Sequence, residues 1–205
     1  MPIELLFPTQ VYCAPLTGRD SGALRQRLLT ECRQLRADDA AGRRWSRLNY
    51  PGGYTSYGSA HRMHQLSPSF ALLQRRLAPH VARLARALAL DLTGRALEMT
   101  DCWVNIMPPQ VTHGLHLHPL STLSGTYYVR TPAGVPGLKF EGPRLARMMA
   151  APPRRPGAAR ALQPWVVVPA RVGQVVLFES WLRHEVPANH ARSERISISF
   201  NYSWF

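Results

Sequence analysis

Residues 195–204, Arg-Ile-Ser-Ile-Ser-Phe-Asn-Tyr-Ser-Trp, alternate polar and apolar without a break. Only a strand, with its period of two, turns such a segment into two chemically distinct faces. Ile196, Ile198, Phe200, Tyr202 and Trp204 share one face, while Arg195, Ser197, Ser199, Asn201 and Ser203 share the other. A strand that gives a whole face to Arg, Ser and Asn lies on the surface or lines a polar cavity. Arg195 and Ser197, two apart, can hold a carboxylate between a planar guanidinium fork and a hydroxyl donor.

The run His113-Gly114-Leu115-His116-Leu117-His118-Pro119 packs three of the eight histidines into six residues. On an extended segment His116 and His118 point one way and Leu115 and Leu117 the other. Two imidazoles side by side form two-thirds of a facial metal site, and an accidental His-x-His on a polar strand face competes with that reading. Leu123-Ser124-Gly125-Thr126-Tyr127-Tyr128-Val129 follows, aromatic and β-branched enough for a strand. Far downstream, His184 comes after two strand-like runs, Trp165-Val166-Val167-Val168 and Gln174-Val175-Val176-Leu177-Phe178, joined at a Gly turn.

The N-terminal part has a different pattern. Ile3 to Tyr12 reads as a strand, with Pro8 favouring an edge. A helix is expected from Ser21 to Arg36, with Leu24, Leu28 and Leu35 turned inward. Ser67-Pro68 starts a second helix, which keeps helical spacing through Phe70, Leu73, Leu77, Val81, Leu84 and Leu88 to about Leu90. Pro79 is expected to kink or split it. His61, His64 and His80 read as surface or capping histidines. Tyr50 to Ser59, rich in Gly, Tyr and hydroxyls, suits either a cover over a substrate mouth or a plain surface turn. Strands resume at Ala96–Thr100 and Cys102–Met107. Within the second of these, Asn105 is a polar residue that either contacts a ligand or sits on an exposed edge. A short strand falls within Gly137–Arg144, and residues 145–164 read as a long irregular insertion, flexible and suited to a lid. The expected organisation is one domain, 1–205, with residues 1–95 as N-terminal strand and helices and 96–205 as the core.

Composition removes several classes of function. The net charge of +13 suggests nucleic acid, but Lys139 is the only lysine among the 25 basic residues. So strong an arginine bias, with the arginines scattered and no nucleic-acid motif, argues against phosphate contacts and leaves steering of an acidic substrate. Cys13, Cys32 and Cys102 have no paired spacing, which points to a reducing compartment. No run approaches the roughly 18 apolar residues of a membrane span, and Met1-Pro2-Ile3-Glu4 lacks the form of a signal peptide. A cytoplasmic location is expected.

Several segments together carry a family resemblance. They are Leu6-Phe7-Pro8-Thr9, Trp103-Val104-Asn105-Ile106, His116-Leu117-His118-Pro119 with Ser121, Leu123 to Val129, Phe178 to Val186, and Glu194 to Asn201. The chain resembles a bacterial and phage group of 2-oxoglutarate/Fe(II) oxygenases. The resemblance implies an α+β fold, with a double-stranded β-helix (jelly-roll) core and N-terminal helices packed on one face. It also implies Fe(II) on His116, His118 and His184, with Arg195 and Ser197 gripping the 5-carboxylate of 2-oxoglutarate. Asn105 or Asn201 would touch the other end of the keto acid, and Tyr128 would hydrogen-bond from a neighbouring strand. The implied reaction hydroxylates an unactivated C–H, with a peptide or amino-acid side chain as substrate, and O2 and 2-oxoglutarate give succinate and CO2.

One departure from the wider superfamily stands out. Most members have Asp or Glu where this chain has His118. The usual carboxylate lowers the net charge of an Fe(II) site to about +1, whereas three imidazoles leave it at about +2. A second arrangement is open, in which only His116 and His184 bind and His118 stands behind them. Glu141, Glu179 or Glu185 would then supply a carboxylate, with no spacing argument favouring one, and Zn²⁺ or Ni²⁺ also suits three imidazoles. Two alternatives follow: a cupin-like metal-dependent oxygenase that does not use 2-oxoglutarate, and a non-catalytic jelly-roll binding module.

Overall fold

In the computed structural model, which describes residues 3, 4 and 6–205, the alternating segment is the strand β10, Arg195–Trp204. It pairs antiparallel with β3 (Leu97–Met107) on one side and β5 (Leu123–Arg130) on the other. These three strands form the centre of a six-stranded sheet that continues outward through β8 (Gln174–Glu179) to β1 (Val11–Pro15), and on the other side through β2 (Tyr54–Thr55). A second, four-stranded sheet has the order β4 (His113–His116), β9 (His184–Val186), β6 (Leu138–Glu141), β7 (Trp165–Val168). The architecture is α+β, a double-stranded β-helix with helices on one side.

The two faces of the large sheet have separate cores, as a period of two requires. Ile196, Ile198 and Phe200 of β10, with Val104, Tyr127 and Leu177 of its neighbours, pack against the helices α1 (Ser21–Asp38) and α4 (Pro68–Ala87). Leu24, Leu28 and Cys32 are the fully buried side chains of α1, and Phe70, Leu73 and Leu77 those of α4. On the opposite face Met107, Tyr128, Val176 and Phe178 pack against Leu138, Phe140, Val168 and Val186 of the small sheet. The polar face of β10 looks into this second space between the sheets.

Several expectations are corrected. The first strand runs from Val11 to Pro15 at the sheet edge and not from Ile3. Ile3, Leu6 and Phe7 are exposed, with Phe7 in the left-handed backbone region, so this apolar run has no surface to pair with; Leu5 lies outside the described residues. The helix α4 continues through Pro79, because that residue is on the exposed face, where the carbonyl it leaves unpaired meets water. Residues 97–107 form one strand in place of two. The runs around Gly173 are two strands, but β7 and β8 belong to different sheets. His64 is buried, not superficial. Two helices that sequence reading missed are α2 (Ala40–Asn49), capped by Asp39, whose carboxylate accepts from the Gly42 N–H at 2.8 Å, and the single turn α3 (Met63–Leu66). Residues 145–164 carry two short 3-10 turns, Leu145–Arg147 and Arg160–Leu162, and no other regular element. Among the described residues no helix is long and apolar enough to cross a membrane.

Candidate metal centre

β4 and β9 pair so that His116 stands directly opposite His184. Cross-strand partners have Cβ atoms roughly 5 Å apart, so the register alone brings two imidazoles together. His118 lies just beyond β4, and its backbone N–H donates to the Ser180 carbonyl at 3.0 Å, in the turn that leads into β9. The three side chains offer nitrogen atoms that all lie within 4.8 Å of one another.

Each ring is also held from behind. His116 Nδ1 is 2.7 Å from the Gly114 carbonyl, and His184 Nδ1 is 2.9 Å from the Leu182 carbonyl. A carbonyl only accepts, so both Nδ1 atoms carry the proton and each Nε2 is left with a bare lone pair. His118 Nδ1 contacts Asn201 Oδ1 at 2.6 Å, which gives the third ring the same arrangement. Three converging lone pairs cannot hydrogen-bond to one another. They suit a shared cation, and a soft-to-borderline divalent metal is what imidazole nitrogen prefers.

Electrostatics keep the cluster neutral. Burial pushes His184 down to about 3 and His118 down to about 4, with neighbouring imidazoles adding to the effect; burial lowers His116 as well. A histidine whose folded value is depressed contributes stability above its unfolded value, near 6.5. That contribution is lost as the pH falls toward the folded value, because the unfolded chain binds the proton first. The metal-free protein should therefore lose about 1.4 kcal/mol per pH unit for each of His184 and His118 as the pH falls below ~6.5 toward their folded values, with His116 acting in the same direction. Urea midpoints measured from pH 7.5 down to pH 4.5 check this, and a flat profile would refute it.

A narrow cavity of ≈ 40 Å³ runs from these imidazoles to Arg195, past Asn105 and Ser199. Arg195 is 3% exposed, and no carboxylate pairs with it among the described residues. Its Nη1 donates to Ser197 Oγ at 3.2 Å, its guanidinium lies 4.9 Å from the Tyr128 ring centroid, and its Nε has no partner. The Tyr128 hydroxyl and Asn105 Oδ1 are likewise buried without partners, while Asn105 Nδ2 donates to Ser199 Oγ at 3.0 Å. A buried, unpaired guanidinium is costly unless an anion meets it. The cavity thus has a metal-binding end and an anion-binding end.

On its outer side the His cluster opens into a larger pocket of ≈ 280 Å³. Its walls include Trp45 and Tyr50 of the α2 region, Tyr57, and Trp103 of β3. Tyr57 packs edge-on against both Trp45 and Trp103, with centroids 6.2 and 5.1 Å apart. The segment Tyr50–Ser59 therefore does face the pocket, and it does so through aromatic rings.

Of the residues singled out by sequence, His116, His118 and His184 come together at one end, and Arg195, Ser197 and Tyr128 at the other, with Asn105 on the wall between. Asn201 is at the imidazole end as well, beneath His118, with its Oδ1 2.6 Å from His118 Nδ1. Glu141 and Glu185 pair with Arg183 at 2.8 Å and Lys139 at 2.7 Å, and the nitrogen cluster includes no carboxylate among the described residues. His113 belongs to the same histidine run, and the expected site assigns it no role. A register irregularity between His113 and His116 stacks its ring on His116, with centroids 4.6 Å apart. Nothing in the sequence signals that bulge.

A family model described as "Putative 2OG-Fe(II) oxygenase" matches residues 101–201. A search of curated proteins gives no match. Among solved structures, HygX from Streptomyces hygroscopicus, with nickel, 2-oxoglutarate and hygromycin B bound, has a TM-score of 0.62 at 15% identity over 96% of this chain and 83% of its own. A Pseudomonas putida prolyl-4-hydroxylase has a TM-score of 0.59 at 16% identity over 95% of this chain and 88% of its own. An oxidoreductase of the 2OG-Fe(II) oxygenase family from Burkholderia pseudomallei matches at 16% identity with a TM-score of 0.45; the match covers 69% of this chain and 55% of that one.

Proposed function

We propose that this chain, whose residues 101–201 match the 2OG-Fe(II) oxygenase family model, is an oxygenase of that kind and that its two-ended cavity holds both cofactors. In this reading His116, His118 and His184 bind Fe(II), and Arg195 with Ser197 takes the far carboxylate of 2-oxoglutarate. The observation that carries it is the buried, acid-free Arg195 at the opposite end of the cavity from three converging imidazole lone pairs. The donor set fits the metal, and the unpaired Arg195 Nε and Tyr128 hydroxyl fit a carboxylate.

When bound, Fe(II) and 2-oxoglutarate supply the oxidising power, with O2, 2-oxoglutarate and R–H giving succinate, CO2 and R–OH. The chain's own residues do the rest. Arg195 and Ser197 fix one end of the keto acid so that its other end lies toward the imidazoles. Asn105 presents Oδ1 as an acceptor midway along the wall, and His113 limits rotation of the His116 ring by stacking on it. Trp45, Tyr50, Tyr57 and Trp103 shape the outer pocket and exclude water from the side that the second substrate enters.

The substrate we propose is a peptide or amino-acid side chain with an unactivated C–H. It is supported by the open, aromatic-walled outer pocket and by the likeness in fold to a prolyl-4-hydroxylase. The net charge of +13 favours an acidic substrate through steering. The cytoplasm is the proposed location, supported by the unpaired buried thiols Cys32 and Cys102. The helices and the β core share one buried cluster, which supports a single working unit over 1–205.

Succinate release from 2-oxoglutarate tests the reading. It should require Fe(II) and O2 together and rise several-fold with a peptide substrate. Turnover that ignores 2-oxoglutarate would favour a cupin-like oxygenase, and stimulation by small glycosides alone would replace the peptide substrate.

A further inference from the structure

Asn201 occupies a row that crosses the centre of the large sheet. β10 pairs it with Asp101 of β3 on one side and with Ser124 of β5 on the other. Its amide is buried, and both of its ends are used. Oδ1 accepts from Ser124 Oγ at 2.8 Å and lies 2.6 Å from His118 Nδ1. Nδ2 donates to Asp101 Oδ2 at a longer 3.4 Å. Ser180 Oγ is 2.7 Å from Ser124 Oγ; because Ser124 donates to Asn201, the proton between the two serines belongs to Ser180.

An amide side chain can be turned over, exchanging its oxygen and nitrogen with almost no change of shape. In the opposite orientation Nδ2 would face His118 Nδ1, and Oδ1 would face the Asp101 carboxylate, acceptor against acceptor. Asp101 can only accept when ionised, so it selects the orientation in which Nδ2 points toward it. That choice turns Oδ1 toward His118. A carbonyl oxygen at Nδ1 demands a proton there, and the proton at Nδ1 leaves Nε2 bare. His116 and His184 obtain the same tautomer from backbone carbonyls, which cannot turn over. Only the His118 tautomer depends on a side chain that needs to be locked.

We propose that Asp101 is a positioning residue for the candidate metal centre, fixing the His118 tautomer through the orientation of the Asn201 amide. The ligand set contains no carboxylate of its own, and Asp101 places a negative charge behind His118, two hydrogen bonds away. Outer partners of this kind set ring orientation and ligand basicity at metal sites. The inference rests on the reading of His118 as a ligand, but its hydrogen-bond logic holds in the metal-free protein, where it can be read separately.

The test compares wild type, D101N and the swap D101N/N201D by nitrogen-detected NMR of the imidazoles in metal-free protein. It adds Zn(II) titration against a chromophoric chelator. Wild-type His118 is expected to carry its proton on Nδ1. In D101N the group at position 101 can donate as well as accept, both orientations of the Asn201 amide become possible, and His118 moves toward the Nε2–H form. Zn(II) affinity then falls about 10–100-fold. The swap restores a single donor–acceptor order, and both readouts return to wild-type values or better. A folded D101N protein with His118 still on Nδ1 overturns the proposal, as does a tautomer shift that the swap does not reverse. If D101N does not fold, the swap alone decides. Failure of both to fold also counts against it, since the swap keeps one carboxylate and one amide in the row. If Zn(II) fails to bind wild type while the tautomers behave as stated, the metal reading is wrong and the Asp101–Asn201–His118 linkage stands.

Discussion

His184→Ala is expected to abolish 2-oxoglutarate-dependent turnover and to weaken divalent metal binding by more than 100-fold. That is beyond the 10–100-fold typical of losing a supporting partner. His184 is the most enclosed of the three imidazoles, 3% exposed, with its ring packed 4.7 Å from Phe178 and its Nδ1 held by the Leu182 carbonyl. It also faces His116 across β4 and β9, so its removal leaves two nitrogen donors and a void on the far side of the cluster. The readout that separates ligand loss from misfolding is stabilisation by metal. A ligand at 100 times its Kd adds about 2.7 kcal/mol to wild type, and that increment should vanish in the variant while the metal-free baseline changes much less. An increment retained in full would remove His184 from the metal site.

Arg195→Met is expected to cost about 3 kcal/mol of 2-oxoglutarate binding, or more than 100-fold in Kd, in line with removing one member of a buried charge pair. The same substitution should leave the ligand-free protein as stable as before or more stable. The guanidinium is buried with no acid partner and an unpaired Nε, beside the Tyr128 ring. A hydrophobic side chain of similar reach is often neutral or better in such a place, by about 1–4 kcal/mol. Calorimetry with 2-oxoglutarate and urea unfolding of the same preparation check the two halves. Loss of stability without loss of binding would mean that Arg195 is structural and that the anion end of the cavity has been misassigned.

These opposite signs follow from the polar face of β10, which is also the part of the fold most legible in sequence. Strict alternation over Arg195–Trp204 gives the strand, its two faces and the carboxylate clamp together. The His116, His118 and His184 set is legible through motif spacing, and the register of β4 against β9 supplies the geometry. What escapes is whatever depends on pairing distant segments. Asn201 is legible only as a polar residue six along from Arg195 on the same face; its contact with His118 Nδ1, which sets it behind that ring, follows from the pairing of β10 with its neighbours. His113 needs a bulge that leaves no sequence mark. The outer pocket assembles Trp45, Tyr57 and Trp103 from three separate elements, one of them the helix α2, whose few apolar residues hide its periodicity. Pro79 shows the reverse error, a strong local rule made harmless by exposure.

The most direct measurement is an anaerobic titration of the Fe(II)-loaded wild-type protein with 2-oxoglutarate, followed by visible absorption. The account predicts a saturable charge-transfer band at one equivalent of keto acid, the sign that 2-oxoglutarate and iron share the cavity between the imidazoles and Arg195. Iron bound with no band, at 2-oxoglutarate concentrations that saturate related enzymes of this fold, would contradict it.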